Sequence, residues 1–78
     1  MKQIVEEINK AVKHAKSKHK IFPCSRAAQF AILVEEIGEI AETINDEQSD
    51  ELYKREILDA AAVIVRMLEQ LKGVEIWK

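Results

Sequence analysis

The sequence predicts an all-α chain of three helices that completes its core by assembling with a further copy of itself. Three observations carry that reading. Apolar residues recur at helical spacing through three stretches of the chain. The composition is 47% hydrophobic with only two glycines and one proline, which argues against disorder. The third stretch is apolar on two sides, more than three helices alone can bury.

Each element can be justified in turn. Ile4, Val5, Ile8, Ala11, Val12 and Ala15 form one apolar face opposite a charged one, predicting a first helix over about residues 2–17. It runs out in Lys16-Ser17-Lys18-His19-Lys20, and Ile21-Phe22-Pro23 follows as a loop, because proline disfavours helix at the residue before it. Ser25 is an N-cap candidate for a second helix over 25–45, whose apolar stripe is Phe30, Leu33, Val34, Ile37, Ile40, Ala41 and Ile44. The polar stretch from Asn45 to Ser49 breaks it. Ser49 or Asp50 can cap a third helix over 50–72, with Gly73 as its stop. The tail Val74–Lys78 is expected to dock as a short extended segment or to add to a subunit interface.

The third helix carries a main stripe of Tyr53, Ile57, Ala60, Ala61, Ile64, Leu68 and Leu71, with Leu58, Ala62 and Val65 on roughly the opposite side. Burial on two sides predicts an oligomer, with a dimeric helix bundle as the default.

Composition narrows the function. A chain of 78 residues is a single domain with a thin stability margin when it folds alone. A formal net charge of -2 gives no basis for a nucleic-acid binder driven by charge, so no specific nucleic-acid binding is expected. A single cysteine, Cys24, excludes an internal disulfide and fits a reducing compartment. The first residues lack the apolar run of a signal peptide, and no stretch approaches the ~20 apolar residues of a membrane span. A soluble, cytoplasmic protein without a membrane partner is the expectation.

The chemistry concentrates in acidic pairs. The second helix contains Glu35-Glu36-Ile37-Gly38-Glu39 and the third Glu56-Ile57-Leu58-Asp59. Residues three apart project from one side of a helix, ~5–6 Å from each other. If the two helices form an antiparallel hairpin, the pairs can face one another. On a helical wheel Glu36 lies roughly 100° from the centre of its apolar stripe, with Glu39 further round. Glu56 and Asp59 are similarly displaced to one flank, with Val63 beneath Asp59. Four gathered carboxylates repel and raise one another's pKa unless a cation compensates. All-oxygen sites take hard divalent cations, and Mg²⁺ in particular shares its coordination with waters and substrate phosphates. Against this stands the bland reading that glutamates are ordinary residues on a solvated helix.

The segment from Leu33 to Glu42, followed by Lys54-Arg55-Glu56-Ile57-Leu58-Asp59-Ala60-Ala61, resembles the MazG-like all-α nucleotide pyrophosphohydrolases, whose signature is E-E-x-x-E, a spacer, then E-x-x-D. The stretch His19 to Ser25 also looks like the segment preceding the first motif in short members. The resemblance covers about residues 19–71. It implies hydrolysis of a nucleoside triphosphate between the α and β phosphates, Mg²⁺ as cofactor with Mn²⁺ as an alternative, and a homodimer or homotetramer whose helices pair into four-helix bundles. By position it implies metal-ligand roles for Glu36, Glu39, Glu56 and Asp59. Glu35 would be an additional ligand or a base orienting the attacking water. The chain departs from the family in being shorter than many members and in carrying Ala60-Ala61-Ala62, which offers little to recognise a base.

Other residues have two readings each. Arg66, seven residues after Asp59, either reaches a substrate phosphate or is an ordinary surface arginine. Lys54 and Arg55 either contact phosphate or are solvated. Lys13, Lys16, Lys18 and Lys20 either steer anionic nucleotides or form a solvated lysine-rich turn. His14 and His19 fall outside the E-x-x-H pattern of helical di-iron sites and are read as surface residues. Phe22, Phe30, Tyr53 and Trp77 are read as packing residues, and Cys24 as inert. Three functions follow: a nucleotide-housecleaning pyrophosphohydrolase, a non-catalytic helical interaction protein of phage or mobile-element type, and a metal-binding bundle unrelated to nucleotides.

Overall fold

The computed structural model describes residues 1–72 and contains three α-helices: α1 (Lys2–Lys18), α2 (Arg26–Asn45) and α3 (Asp50–Glu69). No strand occurs among the described residues, and none of the helices is long and apolar enough to cross a membrane. Gly73 and the tail Val74–Lys78 lie outside the described residues, and with them the expected helix stop and docking segment.

Local chemistry sets the boundaries. The Ser25 Oγ accepts from the Ala28 N–H and the Ser49 Oγ from the Leu52 N–H, both at 3.3 Å. Each serine thereby satisfies a donor that the first helical turn leaves orphaned. Of the two cap candidates for α3, Ser49 takes the role, and Asp50 and Glu51 in the first turn complement the helix dipole. α3 stops at Glu69, three residues before the end that periodicity predicts. Beyond Gln70 the hydrogen bonds shorten to three-residue spacing, Leu71 to the Leu68 carbonyl and Lys72 to the Glu69 carbonyl, so the last apolar residue sits in a turn.

The connection between α2 and α3 is built by a Schellman motif. The Gln48 N–H donates to the Thr43 carbonyl at 3.0 Å and the Glu47 N–H to the Ile44 carbonyl at 3.3 Å. That closure puts Glu47 in the left-handed region, with φ 50, where glycine is the usual residue. Glu47→Gly is therefore expected to stabilise the chain by about 0.5–1 kcal/mol, after the entropic cost of glycine is subtracted. A urea midpoint that failed to rise would show that the turn carries no such strain.

α3 packs on both other helices, while α1 and α2 do not pack on each other. Ion pairs join Glu7 to Lys54 at 2.7 Å near the starts of α1 and α3, and Lys16 to Glu69 at 3.0 Å near their ends. The two helices therefore run parallel. α2 runs antiparallel to α3, as the short connection demands. The result is a three-helix layer with α3 in the middle and a groove between α1 and α2.

The core is small. Among the described residues Val12, Ala60, Ala62 and Val63 are its buried apolar members, and no large side chain is fully buried. Here the sequence expectation for α2 is corrected. Of its seven-residue stripe only Leu33 and Ile40 turn inward, while Phe30, Val34, Ile37, Ala41 and Ile44 are exposed, Ile44 by 60%. The side that meets α3 instead carries Gln29, Glu36 and Thr43. The first and last are buried with their side-chain hydrogen bonds made inside the chain, Gln29 Nε2 to the Pro23 carbonyl and Thr43 Oγ1 to the Ile40 carbonyl, each at 2.7 Å. The main stripe of α3 behaves alike: Tyr53, Ile57, Ile64 and Leu68 are all at least 40% exposed. At ~100° per residue both exposed bands turn to the same side of the antiparallel hairpin, away from the groove. Among the described residues this apolar face is left uncovered.

Candidate metal centre

Glu36 occupies the middle of the α2 surface that meets α3, and α3 presents Glu56 and Asp59 one turn apart. One carboxylate oxygen from each of Glu36, Glu56 and Asp59 lies within 4.8 Å of the other two, at half-buried positions. Glu36 Oε2 and Glu56 Oε2 are buried without any hydrogen-bond partner. Buried acceptors are nearly always satisfied, because leaving one unpaired costs on the order of 1–3 kcal/mol. Two carboxylates with an unsatisfied oxygen each, and a third adjoining, are a donor set that could hold a hard divalent cation.

The electrostatics agree with that geometry. Burial pushes the Glu36 carboxyl up to about 7, and the charges of Glu39, Asp59 and Glu56 add to the effect. Glu56 is raised chiefly by burial and by Glu39, with Asp59 contributing and Arg55 opposing. A raised carboxyl binds its proton more tightly in the folded chain than in the unfolded one. Between the ordinary value of 4.5 and about 7, Glu36 thus removes stability as pH rises. A divalent cation must displace the same proton, so its affinity is expected to climb through that window and to level off above it. Calorimetry of Mn²⁺ binding in two buffers should register proton release at about pH 6 that fades by about pH 8.5. An affinity flat across this range would rule out cation binding at these carboxylates.

The remaining acidic candidates are placed differently. Glu39 neighbours both Glu36 and Glu56 closely enough to raise each of them, without joining the three-oxygen cluster. Glu35 is exposed and lines the groove beside the cluster. Glu35, Glu36, Glu56 and Asp59 lie along a groove of about 880 Å³ floored by α3, walled by α1 and α2, and bordered by Ile21, Phe22 and Pro23.

Two basic candidates also find definite places. The Lys54 ammonium is committed to Glu7, and it is Arg55 that lines the groove. Arg66 is no surface arginine: it is 7% exposed, donates from Nη1 to the Ala15 carbonyl at 3.4 Å, and lies 4.7 Å from the centre of the Phe22 ring. One guanidinium thus ties α1, the following loop and α3 together, a stacked contact that favours arginine over lysine. Sequence reasoning missed Lys10 altogether; His14 is exposed, as expected, and with Lys10 lines the groove from α1. The signal was present as Lys10, His14 and Lys18 at four-residue intervals on one edge of that helix. No protein-family model matches the chain, and no curated protein or solved structure matches it either.

Proposed function

We propose that this chain is a Mg²⁺-dependent nucleoside triphosphate pyrophosphohydrolase that acts as a homo-oligomer. One observation carries the reading: the E-E-x-x-E and E-x-x-D segments, read in the sequence as a MazG-like pattern, meet in a half-buried cluster with two orphaned carboxylate oxygens. The cluster opens on a groove of about 880 Å³, a volume suited to a small-molecule ligand. Glu36, Glu56 and Asp59 would hold the cation, and Glu39 stands beside them as a further acidic donor. When bound, Mg²⁺ would offset phosphate charge and lower the pKa of water. Glu35, on the groove wall, would accept a proton from water attacking the α phosphorus, with pyrophosphate leaving.

The uncovered apolar face supports the oligomer. Each of its half-exposed large side chains has on the order of 1 kcal/mol to gain from full burial. Packing two α2–α3 hairpins face to face would give a four-helix core and leave both grooves outward. The same face also supports a second reading, a non-catalytic helical module whose role is association alone.

Pyrophosphate release from a panel of ribo- and deoxyribonucleoside triphosphates, with and without Mg²⁺, separates the two. Cation-dependent turnover of at least one triphosphate to its monophosphate is expected. If none turns over, the enzyme reading fails and the association module stands.

A further inference from the structure

The groove brings two clusters of opposite charge together: Glu36 on the α2 wall with Glu56 and Asp59 on the α3 floor, Arg55 among them, and the edge of α1 that presents Lys10, His14 and Lys18. These three recur every four residues, so they share an edge and span roughly 12 Å of helix. Among the described residues neither Lys10 nor Lys18 makes a salt bridge, whereas Lys16 on the same helix is taken by Glu69. Glu7, the acidic residue of that edge, is paired with Lys54. Arg66 adds a buried, fixed cation about 10 Å along α3 from Asp59. Two unpaired ammonium groups facing carboxylates across a groove hold no mutual bridge, so each wall has charge left for a ligand.

We propose that the α1 wall is an anion subsite for the terminal phosphates of a linear polyphosphate whose other end lies at the carboxylate cluster. This inference rests on the reading of that cluster as a cation site, and it specifies the ligand class. A chain of several phosphates offers separate anionic groups to the α1 edge and to a cation at the carboxylates; a single phosphate offers one. Lys10 and Lys18 supply the charge, and His14 between them supplies a ring N–H donor.

The test uses the intact chain and inorganic tripolyphosphate, with inorganic phosphate as comparison, titrated without metal and followed by backbone amide shifts. Tripolyphosphate is expected to perturb amides around Lys10, His14 and Lys18, and to bind several-fold more weakly as salt is raised. The double substitution Lys10→Gln with Lys18→Gln should weaken it by about tenfold. The matched pair Lys2→Gln with Lys13→Gln, on the same helix but outside the groove, should change it by less than about twofold. Equal losses in both pairs, or no loss in the first, would overturn the subsite. Mn²⁺ binding to the phosphate-free chain is read separately. Its absence would sink the cation reading of the carboxylates, while the metal-free titration still decides the fate of the α1 wall.

Discussion

Asp59→Asn is expected to lower Mg²⁺-dependent pyrophosphate release by at least about a hundredfold, while the chain keeps its helical content and loses no stability. Asparagine has the shape of aspartate, so the packing of α3 beside Glu36 and Glu56 is preserved. What disappears is one negative charge and one anionic donor. Cation affinity depends on both, hence the loss of turnover. The same change relieves repulsion, because the Asp59 charge is among the causes that raise both Glu36 and Glu56. The metal-free variant should therefore be at least as stable as the wild type at neutral pH, with the Glu36 carboxyl moved back toward its ordinary value. A merely structural aspartate would give the reverse pattern, with stability lost and activity falling only in proportion. Full turnover in Asp59→Asn would remove that residue from the site.

Ile64→Asp carries the second large effect. Ile64 lies on the uncovered face of α3, 45% exposed in the single chain. In a monomer the change removes only the contacts of a half-exposed side chain, a small cost. In the proposed bundle it would bury an unpaired carboxylate at the centre of an apolar interface. Dissociation should then become easier by at least about two orders of magnitude, with a lower unfolding midpoint that depends on protein concentration. Sedimentation equilibrium of wild type and variant decides the matter. A wild-type chain that sediments as a monomer at high concentration would contradict the shared core.

Much of the fold was legible because its causes are local. The serine caps at Ser25 and Ser49 and the proline after α1 act within a few residues of themselves. The three helices followed from spacing and were found with ends within a few residues of expectation. The orientation of α2 was not legible. Its apolar stripe gave the better periodic signal, yet it faces outward, while Gln29, Glu36 and Thr43 turn to α3. Amphipathicity reports that a face wants burial, and it does not report whether the same chain or another supplies the cover.

The candidate site divides along the same line. Glu36, Glu56 and Asp59 could be chosen from spacing because residues three apart on a helix share a side. Their convergence to within 4.8 Å, and the isolation of two of their oxygens, required α2 and α3 to be packed. Glu39 stood with these three in the pattern and was separated from them only by that packing, whereas Glu35 was already set apart as an additional ligand or a base. The four-residue spacing of Lys10, His14 and Lys18 and the seven-residue interval from Asp59 to Arg66 were visible in the sequence, but not what these residues face. Lys10 gains meaning from facing the carboxylates across a groove, and Arg66 from meeting Ala15 and Phe22, which are 51 and 44 residues away in sequence. The sequence by itself determined the three helices, the Ser25 cap and the two acidic pairs, since each depends on interactions within one or two turns. Tertiary structure alone decided which face of α2 is inside, which carboxylates share a cluster, and which cations face them. Those depend on contacts between residues far apart in the chain.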